Sequence, residues 1–378
     1  MNDSGALLRE DVRALVPGRG GRAGPMYRWL LLSATLLAFC VVVLGATVRL
    51  ADAGLSCPDW PGCYGALTVG GALAIPSAER QRRWAGQRLD AARARMEMLH
   101  RYAAGSLGLL IVGIVVLGRH RPAMRIMGPA LVGLVVLQAM LGMWTVTSRL
   151  EPLIVTAHLL GGMAVLALLG RLRLQAREAA VGAGSQNNGQ DGQSAASGLR
   201  LLARAGLLLL AVQIGLGGWV AANHATLACP GFPTCNGSWW PAADIADGFA
   251  PLLGRISDAG MSGPGRIAIH WTHRLVAAAL VLVLGIVSVL TGRMHRPRSV
   301  RRAGRFLGLL LLVQVGLGAS IVLTGAPLAL AAAHNAIAAL LLLQLVTLGC
   351  RLGRSGLPVA DADAPNLPRG LAPRGIET

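Results

Sequence analysis

The stretch EMLHRYAAGSLGLLIVGIVVLG (Glu97–Gly118) decides the fold. It opens with a carboxylate, a histidine and an arginine, then runs to Gly118 without another charge. An apolar run of that length is what a helix needs to cross roughly 30 Å of hydrocarbon. An ionisable side chain admitted into such a run is costly and is usually functional. The same design returns as HWTHRLVAAALVLVLGIVSVL (His270–Leu290).

The rest of the chain reads the same way. Of its 378 residues, 54% are hydrophobic and 14% charged, against about 25% charged in a soluble domain. Eight apolar blocks are long enough to span a bilayer: about 28–50, 97–118, 126–147, 153–172, 201–222, 267–291, 305–325 and 327–350. Helices satisfy their backbone groups internally in lipid, so the expected fold is an all-α polytopic membrane protein. The first block, preceded by arginines, could mimic a signal peptide, but its later partner marks it as a retained helix.

The net charge of +18 comes from 35 basic residues, every one an arginine. They cluster in short loops such as GRHRPAMR and GRMHRPRSVRRAGR, the pattern of anchoring to anionic lipid. No basic patch is interleaved with aromatics as strand binding requires, which argues against nucleic acid as a partner. The positive-inside rule places both termini in the cytoplasm. Six arginines between Arg80 and Arg95 lie on the opposite side, in an amphipathic stretch (AERQRRWAGQRLDAARARME) expected to rest on the membrane surface.

The chain divides into tails and two matching halves. Residues 1–27 form an N-terminal tail, 28–173 a first four-helix bundle, and 200–352 a second. Between them, 174–199 is a polar, glycine- and serine-rich linker, expected to be disordered, as is the tail 353–378. Cys57 and Cys63 match Cys229 and Cys235; HRYAAG matches HRLVAA; AHLLGG matches AHNAIA. The separations agree: Cys57 to His100 is 43 positions and Cys229 to His273 is 44. Odd spans share a second echo, VLGATV, MLGMWTV, GLGGWV and GLGAS, whose small residues allow close helix packing. Each half has an even number of spans, so the two are expected to be parallel repeats.

Eight histidines divide by position. His120 and His295 fall in arginine-rich loops and His224 just beyond span 5, where solvated side chains are expected. His100, His158, His273 and His334 lie within the first two turns of the even spans, two per half, at matched depth. Paired imidazoles facing across a four-helix bundle can ligate heme iron from both sides. Zinc fits less well, because neither half offers a compact third and fourth ligand. Arg101 and Arg274, each following a histidine, could reach heme propionates. Glu97 lies one helical turn before His100, where the second half has His270, which suggests chemistry at one site and a permanent group at the other.

These motifs, E-x-x-H-R opening the second span, a histidine early in each even span, and C-x5-C in the first outer loop, resemble the heme A synthase family over about residues 28–350. The resemblance implies oxidation of a ring methyl of heme O to a formyl group. It implies that His100 and His158 hold the heme O substrate beside a catalytic Glu97, and that His273 and His334 ligate a heme b cofactor. It further implies a bacterial cell (inner) membrane location and an unidentified electron partner. The heme O-producing farnesyltransferase is a plausible partner, as are membrane lipid and a second copy of the chain. Two other functions explain part of the pattern: a bis-histidine di-heme cytochrome that only transfers electrons, and a heme transporter or chaperone presenting Trp239 and Trp240. Both C-x5-C loops fall on the oxidising side, so Cys57–Cys63 and Cys229–Cys235 disulfides are expected rather than a shared zinc site.

Overall fold

A computed structural model describes residues 24–85, 87–181, 190–253, 260–294 and 298–354. The described residues are helical apart from loops and two isolated β-bridges. Eight helices are long and apolar enough to cross a membrane: α1 Pro25–Leu50, α2 Ala91–Gly118, α3 Pro122–Thr147, α4 Pro152–Val181, α5 Gln190–Ala222, α6 Gly263–Arg293, α7 Arg298–Leu323 and α8 Leu328–Arg354. The chain is a multi-pass membrane protein.

Local chemistry sets where the helices start. Pro25 and Pro122 occupy first-turn positions, where the missing N–H costs nothing. Asp90 caps α2 by accepting from the N–H groups of Ala92 and Arg93 at 2.9 and 3.1 Å, and the Ser262 hydroxyl caps α6 through Gly265 N–H. These caps begin α2 and α6 earlier than hydropathy alone places them. His100 and His273 therefore lie in the third helical turn rather than the first two, while His158 and His334 keep the second.

Two further expectations change. The arginine-rich stretch after Pro76 is not one amphipathic segment: a short helix, Ser77–Arg83, ends at Trp84, and α2 starts afresh at Ala91. Trp84 breaks the line by turning inward, its ring edge-on to Tyr64 with centroids 5.3 Å apart. The segment 174–199 is entered from both sides by helix, α4 to Val181 and α5 from Gln190. Its alanines, glutamines and arginines are good helix formers. Residues 182–189, His295 and the tails 1–23 and 355–378 lie outside the described residues.

Packing closes two rings. α1 packs on α2 and α4, and α3 on α2 and α4; α5 packs on α6 and α8, and α7 on α6 and α8. α1, α4, α5 and α8 join the rings through a continuous core that includes Leu31, Leu166, Leu169, Leu210 and Leu341. Arg49 adds a polar tie, donating to the carbonyls of Ala221 and Ala222 at 3.2 Å each.

Candidate functional site

The four even-helix histidines, His100, His158, His273 and His334, line a single cavity of about 1360 Å³ walled by all eight membrane helices. Ordinary small-molecule sites are about 300–1,000 Å³. His100 and His158 lie within electrostatic reach of each other, as do His273 and His334.

Each imidazole is seated on a glycine of the neighbouring odd helix. A Cβ added at Gly45 would stand 2.7 Å from Cε1 of His100, and one at Gly142 would stand 3.4 Å from Cε1 of His158. The same construction at Gly217 gives 3.4 Å to His273 and at Gly318 gives 3.2 Å to His334. The repeated L-G of the odd spans is thus a recess for a ring, beyond the general helix packing read from the sequence.

One turn before three of these glycines stands a glutamine: Gln138, Gln213 and Gln314. The Gln213 amide nitrogen is 3.1 Å from both ring nitrogens of His273, and that of Gln314 is 3.2 Å from Nε2 of His334. Gln138 instead packs its amide into the space left by Gly161 on α4, and before Gly45 the corresponding residue is Val41. The sequence showed these glutamines only as single polar residues inside apolar runs.

The ends of the cavity differ. Glu97 is 3% exposed. Its carboxylate accepts from Cys57 N–H at 2.9 Å and pairs with Arg101. His270 holds the matched position on α6, equally buried, with Nδ1 donating to the Ala225 carbonyl at 3.0 Å. Arg101 and Arg274, expected near propionates, also line the cavity, but their guanidinium groups clasp the cysteine loops. Arg101 donates to the carbonyls of Asp59 at 2.7 Å and Gly62 at 2.6 Å; Arg274 donates to those of Cys229 at 2.6 Å and Thr234 at 2.8 Å.

The loops themselves are closed by disulfides, Cys57–Cys63 and Cys229–Cys235, with Cα atoms 4.6 and 4.7 Å apart. Each has one antiparallel bridge, Cys63 to Ala66 and Cys235 to Ser238. The first loop has a small core of its own around Tyr64, whose burial pushes its hydroxyl above the usual range. Trp60, Trp239 and Trp240 are exposed at the cavity mouth.

The donor set fits heme. Nδ1 of His100, His158 and His334 is buried without a partner, and neutral imidazoles in opposed pairs are axial ligands for iron. Among the described residues no group of three or more His, Cys, Asp or Glu side chains could hold another metal.

Fold and site together define a multi-pass membrane protein with paired histidines facing one intramembrane cavity. The chain belongs to the COX15-CtaA family of cytochrome oxidase assembly proteins, which matches residues 27–346. It is similar to the heme A synthase of Shewanella oneidensis, with 37% identity over 329 residues covering 85% of this chain and 94% of that relative. The heme A synthase of Methylobacterium radiotolerans is 30% identical, covering 93% of this chain and 95% of the relative. That of Rhizorhabdus wittichii is 28% identical, covering 87% and 94%.

Proposed function

We propose that the protein is a heme A synthase, oxidising a ring methyl of heme O to a formyl group in two successive steps. The observation that carries this reading is the unequal furnishing of one cavity: two histidine pairs, with a buried carboxylate, among the described residues, beside only one of them. His100 and His158 would hold the substrate heme, and Glu97 would stand close to the reacting methyl and take up a released proton. Cys57 N–H and Arg101 hold that carboxylate in one orientation. His273 and His334 would hold heme b, which when bound supplies one-electron transfer toward an unidentified partner. Arg101 and Arg274 would contribute positive charge to propionates at the cavity mouth while holding the loops down.

The two halves, each a closed ring of four helices, are read as parallel repeats. The arginine-rich loops would face the cytoplasm together with both termini, which puts the disulfide loops on the outer side of a bacterial cell membrane. A pure electron-transfer cytochrome would need no carboxylate at one site alone.

Extraction of bound pigments with mass spectrometry tests the reading. Wild-type protein should yield heme b together with heme O or heme A. Glu97→Ala should lose the formyl product and keep heme b, whereas continued heme A formation by that variant would remove Glu97 from the mechanism. An unchanged heme b spectrum in His273→Ala would remove the second pair from heme binding.

A further inference from the structure

The two rings of helices are not equally closed. α6 and α7 pack closely on each other, and between them the Ser288 hydroxyl donates to the Gly304 carbonyl at 2.9 Å. α2 and α3 meet far more sparsely. Val115 holds the place of Ser288 on α2 and has no hydroxyl to make that bond.

The residues along the two seams differ in one direction. Pairing His100 with His273 and Gly142 with Gly318 sets the register between the halves. Gly108 then stands where α6 has Val281, and Val135 where α7 has Leu311. One turn nearer the histidines, Gly105 replaces Ala278 and Ala139 replaces Val315. All of these line the cavity, and in every pair the first half has the smaller side chain.

The geometry shows what the smaller residues leave. A Cβ added at Gly108 would lie 3.5 Å from Cγ1 of Val135, so these faces of α2 and α3 oppose each other. A Cβ added at Gly105, on the same face, would meet nothing within 4 Å among the described residues. Gly105 and Ala139 are exposed, and Val135 is half-buried where Leu311 is buried. The cavity therefore has a side gap between α2 and α3, one turn from the glycine that seats His158. Nδ1 of His158, buried without a partner among the described residues, points to a ligand in this half.

Resting on the heme A synthase reading above, we propose that the α2–α3 gap takes the isoprenoid chain of the substrate heme and so decides which heme each half accepts. Heme O carries a long apolar chain on one ring edge, where heme b has a vinyl group. A ring of helices closed around the tetrapyrrole has no room for that chain. A gap beside the ring lets it pass outward, and lipid is as apolar as the side chains it would leave. The tighter α6–α7 seam excludes the chain and keeps the second half for heme b.

The test uses the full chain in detergent with heme b retained, titrated with heme O and separately with hemin. Wild type should bind heme O more tightly than hemin at the first site. Gly105→Leu fills the gap without a clash at Cβ, and leucine is the better helix former, so the variant should fold. It should weaken heme O binding about 10-fold and leave hemin binding unchanged; adding Ala139→Val should carry the loss toward about 100-fold. The reverse pair, Val281→Gly with Val315→Ala, should let heme O enter the second half, read by mass spectrometry of extracted pigments. Wild-type heme O affinity in the Gly105→Leu, Ala139→Val variant, or an equal loss for heme O and hemin, would overturn the proposal. Continued exclusion of heme O by the reverse pair, with heme b still bound, would overturn the gap as the selector. If His158→Ala binds heme O as wild type does, the substrate-site assignment beneath the proposal has failed instead.

Discussion

One helical turn before a histidine, α2 presents Glu97 and α6 presents His270, and the two do opposite things with the loop above them. Glu97 accepts from the backbone N–H of Cys57; His270 donates to the backbone carbonyl of Ala225. The choice propagates to the next residue outward. Arg101 is shared between Glu97 and loop carbonyls, whereas Arg274, with no carboxylate beside it among the described residues, gives its bonds to the carbonyls of Cys229 and Thr234. A common scaffold can therefore close each loop with either polarity. A carboxylate is not needed to hold a loop down, so its presence in the first half calls for another reason.

That comparison breaks most sharply at Glu97 itself. Glu97→Ala leaves Arg101 and Cys57 N–H without their buried partner, at a cost of about 3 kcal/mol, and formyl formation should fall at least about 100-fold. His270→Ala orphans one carbonyl, costing about 1–3 kcal/mol, and should leave formyl formation in place. Pigment analysis and thermal unfolding of both variants separate the two effects. Glu97→Gln keeps an acceptor for Cys57 N–H and removes the charge. If it forms heme A at the wild-type rate, Glu97 is only a loop anchor.

The glycine seats offer a graded comparison across all four histidines. Gly45→Ala puts a methyl 2.7 Å from the His100 ring, closer than carbon atoms tolerate, and should cost up to about 3 kcal/mol through overpacking. Gly318→Ala, at 3.2 Å, should be milder, and Gly142→Ala and Gly217→Ala, at 3.4 Å, milder still. Substrate-heme retention in Gly45→Ala, measured against heme b retention in Gly217→Ala, checks the ranking. An equal loss at all four positions would mean that the recesses serve helix packing alone.

These residues also mark what the sequence could show. The spans and the four histidines were legible because bilayer thickness imposes length and apolarity, and because ionisable groups stand out inside apolar runs. The L-G echo was visible too, but a glycine's role depends on what comes close to it, and only the fold brings His100 onto Gly45. Gln213 and His273 are 60 positions apart, and their meeting follows from helix packing that no local pattern encodes. The place of Arg101 and Arg274 beside the histidines points toward propionates. The carbonyls they reach lie 39 to 45 residues away in loops whose course the sequence leaves open. The break at Trp84 is hidden in the sequence for a similar reason, since its partner Tyr64 belongs to a separate small core.

The disulfides sharpen the comparison of the loops. Each closes a short ring, and chain-entropy arguments put its worth at about 2 kcal/mol in both halves. The consequences should differ. Replacing Cys57 and Cys63 by serine loosens the N–H that orients Glu97, so formyl formation should fall along with stability. Replacing Cys229 and Cys235 should lower stability alone. Equal losses of activity in the two double variants would mean that the loops act only as covers.

The smallest effect is expected where the halves meet. Arg49 on α1 reaches the last carbonyls of α5 and stands 3.2 Å from Nε2 of His224, while its other nitrogen pairs with Asp52. The two carbonyl bonds are long and lie near the membrane edge, so Arg49→Gln should cost about 1 kcal/mol. The apolar core shared by α1, α4, α5 and α8 is continuous without it. A charge placed there, against carbonyls that carry the negative end of the α5 dipole, fixes the rotation of one half against the other more than it binds them. Arg49→Gln should therefore lower the unfolding temperature only slightly, yet broaden the distance distribution between spin labels placed one in each half. An unchanged distribution would leave the apolar core as the sole determinant of how the halves sit together.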